Sequence, residues 1–394
     1  MNHQIAQIRH HSIPYNFQFS NQSPDSKRHS TTPMAESQSF ARTPDWSILP
    51  PELLQIIAKK LPDISDFVKF RAVCTTWRSS ACISDPPPQL PWFLEEQDLL
   101  GLEGDLRFYS LFSGKIHTVP SPNLSNNWLG GRAHDYIILY NAPLCQFSLL
   151  NPLTGRKVVL PFLDIAGPHP VWVGPDPIES GEVVVLSGNS ADFKTGILAL
   201  YQPVEREWVV IEESCSFHRR DAYFNGMYYA NEEETGDTKV ISTVTRKVLH
   251  VVPPPPEDEN EGDPITGVTY LVQSSGDILR VVLHDNELIE VADCRFYIYR
   301  LDLRSGSGGN PRWVKISSIG DQILFLDDHN GFSLSCNDFS GFRGNSIYFI
   351  KWHSQDIYDP PLSLLCRYDI AEARAEPLNF PFTKGGTWIV PSLR

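Results

Sequence analysis

The residues of this chain whose types could do chemistry are few and scattered. Asp327-Asp328-His329 gathers the ligand types of a divalent-metal centre, but no second ligand pair stands at usable spacing, so a polar turn is expected and no metal is assigned. The glycine-rich run RSGSGGNPRW (304–313) has the composition of a phosphate cradle. It follows Leu301-Asp302-Leu303 and precedes a Trp-bearing strand, which suits a hairpin loop instead. No Walker loop, GxGxxG, HExxH, GxSxG or zinc-spaced Cys/His set occurs. Carboxylates are abundant, but abundance does not make an acid–base pair. Histidines at 3, 10, 11 and 29 are too irregularly spaced for a metal tract. The seven cysteines, at 74, 82, 145, 215, 294, 336 and 366, form no CxxC pair and read as reduced thiols of a protein of the cytoplasm, the nucleus or both. This inventory implies no cofactor and no catalytic residue, and the chain is not expected to be an enzyme.

Charge narrows the partners. The formal net charge is −14, and residues 91–394 carry −16 of it, offset by +2 on residues 1–44. So acidic a body repels phosphate backbones and anionic lipids, which argues against nucleic acid and membrane surfaces as partners. The run EDENEGD (257–263), after Pro253–Pro256, is expected to be a solvated loop tip, with capture of a basic segment as the functional alternative. No stretch approaches ~18 consecutive apolar residues, so no helical membrane span is expected. The first residues lack the apolar core of a signal peptide, and Met34 is an alternative start to Met1.

These residues must be positioned by two kinds of element. Residues 1–43, rich in Ser, Thr, Gln and Pro, are expected to be a disordered tail. From 45 to 85 the apolar spacing is helical. Leu53, Leu54, Ile56, Ile57 and Leu61 follow the Pro50-Pro51 start, and Pro62 stops the helix. Asp63 or Ser65 can cap a second helix through Phe67 and Phe70, and a third carries Trp77. Three short helices in about 40 residues bury little core alone, so the unit is expected to lean on a partner or on the next domain. Beyond the proline run the pattern becomes period-2 alternation. One hairpin recurs at 106–120, 147–161, 198–211, 240–253, 297–316 and 364–381, at intervals of about 40–65 residues. That interval fits four-stranded propeller blades over residues 91–394. Six kelch-like blades are expected, with five and seven as alternatives and a long β-sandwich as the other arrangement alternation allows. Trp208, Trp313 and Tyr368 are expected to pack between blades.

The helical segment DWSILPPELLQIIAKKLPDISDFVKFRAVCTTWRSSA (45–81) can be read on its own as a cap on the propeller. Its order of signals, Leu49-Pro50, Leu53-Leu54, Ile57, Leu61-Pro62, Val73-Cys74 and Trp77-Arg78, nevertheless resembles an F-box. The resemblance implies that these eleven residues meet an adaptor of the Skp type, which joins the chain to a cullin scaffold. Leu49 and Pro50 would fill the adaptor's apolar groove, with Trp77 as the large anchor. The runs at 313–350 and 387–393 (TWIVPSL) resemble the KIB-type β-propeller of plant F-box proteins. Together they imply a mainly β protein with a three-helix F-box before a propeller, acting as a non-catalytic substrate receptor of an SCF-type E3 ubiquitin ligase. The target is unidentified. The acidic propeller favours one with a basic face, and the resemblance makes a signalling kinase one candidate. Two alternatives stand beside this: an F-box protein working outside ligase complexes, and a propeller enzyme capped by the helices, which predicts polar residues converging in the central channel.

Overall fold

The computed structural model describes residues 46–61, 63–95, 105–121, 124, 126–133, 135–144, 146–162, 184–189, 196–202, 206–212, 220–232, 234–256, 267–284, 290–303, 310–339, 341–353, 362–382 and 384–393. The tail expected over 1–43, the acidic run 257–263 and residues 304–309 of the glycine-rich run lie outside these. The elements that position the functional residues belong to one compact unit, Ser47–Arg394.

Three helices open it. Pro51–Lys59 (α1) starts on a proline, whose fixed φ suits the first helical position. Ile64–Ala72 (α2) is capped by Asp63, whose Oδ1 accepts the Ser65 N–H at 2.8 Å. Thr75–Ser80 (α3) follows. Leu54, Ala58, Ile64, Phe67 and Phe70 turn inward. Burying each Leu- or Phe-sized side chain contributes about 1.5–3 kcal/mol, too little from so few for the module to stand alone.

The strands that follow are Trp92–Glu95 (β1), Leu106–Ser110 (β2) and Ile116–Val119 (β3), then Asn127–Ala133 (β4), Tyr136–Asn141 (β5), Gln146–Leu150 (β6) and Lys157–Val159 (β7). Val184–Asn189 (β8), Gly196–Gln202 (β9) and Glu207–Glu212 (β10) come next, then Ala222–Phe224 (β11), Met227–Asn231 (β12), Thr238–Ser242 (β13) and Lys247–Val252 (β14). Val268–Ser274 (β15), Asp277–His284 (β16), Arg295–Asp302 (β17) and Arg312–Ile316 (β18) precede Gln322–Leu326 (β19), Gly331–Ser335 (β20), Ser346–His353 (β21), Leu362–Asp369 (β22) and Arg374–Pro377 (β23). Gly386–Ile389 (β24) returns to the beginning and pairs antiparallel with β1, Phe93 facing Trp388.

Among the described residues these strands form six sheets, in the orders β24-β1-β2-β3, β4 to β7, β8 to β10, β11 to β14, β15 to β18 and β20-β19-β21-β22-β23. Neighbouring sheets share an apolar cluster at every junction. Phe108 meets Ile137 and Leu139, Tyr136 meets Tyr201, and Leu200 meets Tyr228. Tyr229 clusters with Leu271, Val281 with Leu324, and Phe325 with Phe93 and Trp388. The last junction rejoins the first sheet and closes the ring of blades, which is how sheets apolar on both faces escape water.

Five sheets follow the simple antiparallel order of a blade. That corrects the expected count of six kelch-like blades, five being the alternative. In the sixth sheet, β19 runs parallel to β21 because β20 folds back and takes the inner position. There Ser333 Oγ donates to the Gln273 carbonyl of β15 at 3.1 Å.

The hairpin read from the sequence is the outer corner of a blade. In four of them a short polar residue opens the turn. The side chains of Ser110, Asn151, Ser242 and Asp369 each accept a backbone N–H two or three residues on, and a left-handed residue follows at Gly114, Gly155, Arg246 or Ala373. Trp313 and Tyr368 are buried between sheets as expected. Trp208 packs beside Tyr201 and donates from Nε1 to the Pro161 carbonyl at 3.0 Å.

Candidate functional site

The eleven residues singled out on the helices divide sharply. Leu54 is fully buried in the module's own core, whereas its neighbour Leu53 is 47% exposed. Leu49, Leu61 and Trp77 are half-buried against that core, and Trp77 lies 4.4 Å from Phe70, ring centre to ring centre. Cys74 is half-buried. Pro50, Ile57, Arg78 and Val73 (58% exposed) face solvent, and Pro62 lies outside the described residues. Ile48 and Ile56 are also exposed and were not singled out. The signal for Ile56 was present, since Leu53, Ile56 and Ile57 fall at i, i+3 and i+4 and form one stripe along α1. A stripe of branched aliphatic side chains left in water marks a surface meant to be covered.

The opposite face of the module is fixed to the first two sheets. Leu54, Phe67 and Phe70 share one cluster with Trp92, Leu106, Phe108 and Ile137. At the seam Asp63 Oδ2 lies 3.4 Å from His117 Nε2, and the His117 ring stacks on Trp92 at 4.3 Å and 5°. Burial alone would push the Asp63 carboxyl up, but the pairing with His117 and the bonds from Ser65 outweigh it and hold its pKa below 3.8. Arg71 donates to the carbonyls of Arg78 and Ala81, tying α2 to the end of α3, and Lys59 pairs with Asp85. The exposed stripe is thus carried on a support continuous with the propeller.

A second polar group gathers where the inner strands β4, β11, β15, β20 and β24 adjoin. Residues 327–329 lie in a polar turn between β19 and β20, and Asp327 within it is buried. Its Oδ1 accepts the N–H groups of His329 (2.8 Å) and Asn330 (3.0 Å), and its Oδ2 accepts Thr387 Oγ1 (2.9 Å) and the Trp388 N–H (2.8 Å). Asn330 Oδ1 accepts Arg132 Nε at 3.0 Å, and that guanidinium lies 3.8 Å from the centre of the Phe332 ring. Burial raises the Asp327 pKa against these donors and lowers that of Arg132 to about 10. With every lone pair answered, Asp327 joins β4, the β19–β20 turn and β24 as a structural staple. Asp328 accepts Trp352 Nε1 at 2.9 Å, and Arg220 lies 5.0 Å from the Tyr270 ring centre. No single stretch of sequence could show this convergence, because its members come from five strands. Among the described residues no group of three or more His, Cys, Asp or Glu is arranged to hold a metal ion.

Comparison with known proteins then decides the family. The model of the KIB1-4 beta-propeller matches residues 108–370, and that of the F-box domain matches residues 46–86. The chain belongs to the KIB1-4 β-propeller family and carries an F-box domain. Its similar proteins include the F-box/kelch-repeat protein At2g24250 of Arabidopsis thaliana, 28% identical over 78% of this chain and 82% of that one. The F-box protein SKIP23 of the same plant is 25% identical over 77% and 84%. Among solved structures, TolB from Acinetobacter baumannii aligns at a TM-score of 0.43 and 10% identity, over 76% of this chain and 66% of that one, which carries no functional weight. Within this KIB1-4 propeller protein, the F-box is the module bearing the exposed stripe, and its buried face rests on the propeller's first blades.

Proposed function

We propose that this protein is the substrate-recognition subunit of an SCF-type E3 ubiquitin ligase, working in the cytoplasm, the nucleus or both. The F-box docks a Skp-type adaptor, the adaptor joins a cullin scaffold, and the propeller holds a target protein. The observation that carries the reading is the solvent-facing stripe Leu53, Ile56 and Ile57, with Val73, on a module anchored from behind. Such a stripe suits an apolar groove on a partner. The receptor forms no bond itself. It raises the effective concentration of a target lysine beside the ubiquitin-loaded enzyme. The polar convergence at the axis is the feature a propeller enzyme would display, but Asp327 and Arg132 are occupied by structural partners there. That favours the receptor reading over a catalytic one.

The test is co-purification of the full chain with a Skp-type adaptor and a cullin, beside Leu53→Asp/Ile57→Asp. The native chain is expected to retain both partners, and the variant to lose them while melting as the native chain does. Retention of adaptor without cullin would point to work outside ligase complexes. Failure to retain adaptor would sink the reading.

A further inference from the structure

The outermost strand of each sheet ends a hydrogen-bonded ladder, and on five of the six a residue of that strand is tucked against its neighbours. His117 on β3, Val158 on β7, Trp208 on β10, Trp313 on β18 and Ala375 on β23 are each half-buried or buried. β14 differs. Lys247, Val248, Leu249, His250 and Val251 are all exposed, Leu249 to 45% and Val251 to 51%. Successive residues of a strand point to opposite faces, so both faces of β14 stand clear together with its outer edge. Among the described residues β14 pairs with β13 alone. Val252 returns to the core and Pro253 follows, which ends the free edge.

The chemistry of this edge specifies what covers it. The outward N–H and C=O groups of an end strand offer a ladder to one more strand, so the occupant is extended. Val248, Leu249 and Val251 call for aliphatic side chains on it. Arg246 and Lys247 are exposed where the strand begins, and no ion pair to a described carboxylate engages either. Two free cations on a chain of net charge −14 attract an acidic segment, and opposite charges stabilise paired strands. A second copy fits worse. The register slips between Val240 and Ile241 and leaves Leu249 as a bulge, which twists the edge away from a long flat pairing. Two chains each carrying −14 also repel. We infer that the outer edge of β14 docks a short extended segment of another protein, alternating aliphatic and acidic residues, as a fifth strand on this four-stranded blade. No residue of β11 to β14 belongs to the cluster that seats the helices, so the site does not depend on the adaptor.

Fluorescence anisotropy of a labelled Glu-Val-Asp-Val-Glu-Val amide with the full chain tests the edge. This peptide is expected to bind at least about tenfold more tightly than its counterpart with lysine at the acidic positions. N-methylation separates strand addition from a general attraction of charge. Methyl groups on the valine nitrogens, or on those of the acidic residues, fall on opposite edges of an extended peptide. One set should weaken binding at least about tenfold and the other should cost little. Leu249→Thr/Val251→Thr keeps strand-forming residues while removing apolar surface, and should weaken binding at least about fivefold. Arg246→Glu/Lys247→Glu should move preference to the lysine peptide. Unchanged melting shows that both variants are folded. Adaptor capture, which neither should alter, keeps a failure here apart from a failure of the ligase reading. No binding of the acidic peptide, equal binding of the two charge forms, equal cost from the two methylated sets, or unchanged binding by both variants overturns the proposal. Self-association of the native chain that Leu249→Thr/Val251→Thr abolishes would give the edge to a second copy and overturn it as well.

Discussion

Asp63 Oδ2 lies 3.4 Å from His117 Nε2, so the residue that caps the second F-box helix is also the one that grips the third strand of the first blade. One carboxylate therefore serves the helix and the seam together. The pKa of Asp63 is held below the ordinary 3.8, so its contribution is complete above pH 3.8 and is lost as pH falls through the lowered value. Asp63→Asn keeps a good capping side chain and removes the charge, whereas Asp63→Ala removes both. The Ala variant is expected to cost about 1–2 kcal/mol at neutral pH and the Asn variant less. Both should show a shallower acid-side slope than the native chain in thermal melts between pH 3 and pH 5. An unchanged slope in Asp63→Asn would show that the pair contributes nothing.

Leu53 and Leu54 are adjacent in sequence and opposite in role. Leu54→Ala opens a hole in the seam and is expected to cost about 2–5 kcal/mol in chemical unfolding. Leu53→Ala should leave the unfolding midpoint within experimental error while weakening adaptor capture. Equal destabilisation by the two would mean that the stripe is not a free surface.

Ring closure rests on a place where no side chain fits. At Gly386 an added Cβ would overlap the Leu94 carbonyl oxygen and press on the Phe93 ring, both within the β24–β1 pairing. Gly386→Ala is expected to lower stability by about 3 kcal/mol, through displaced backbone rather than lost packing. Urea unfolding measures this, and a cost below about 0.5 kcal/mol would show that the strand pair yields easily.

The outer corner at Ala373 has room for improvement. Ala373 holds φ at +49°, a conformation that costs an L-residue roughly 1–2 kcal/mol. Ala373→Gly relieves this strain but frees the unfolded chain, so a net gain of up to about 1 kcal/mol is expected. A loss of stability in this variant would mean that the Ala side chain supports the turn.

The outer hairpins were legible because their corners are local. Asn151 and Asp369 accept N–H groups from their own turns, and the flanking strands alternate clearly. The inner strands were not. β4 reads NWLGGRA and β11 only AYF, too short or too mixed to show a period, since such strands face the axis with one side and a neighbouring sheet with the other. The closing pair joins residues 92–95 to 386–389, and no window of sequence contains both. The F-box was readable as an order of residues but not as a surface. Leu53 and Leu54 are chemically equal, and which one faces solvent was fixed only when the first sheet took the other. Asp327 read only as a turn residue, and its second role was hidden because its partners Thr387 and Trp388 are 60 and 61 residues away.

The pairing of β24 with β1 also orders events at the ribosome. The first blade holds its innermost strand from residues 386–389, and Ile389 lies in the same apolar cluster that seats the helices. The segment made first therefore waits for one made hundreds of residues later before its support is complete. A message cut short before codon 386 yields F-box helices with an unfinished seat, leaving that end of the chain open to proteolysis.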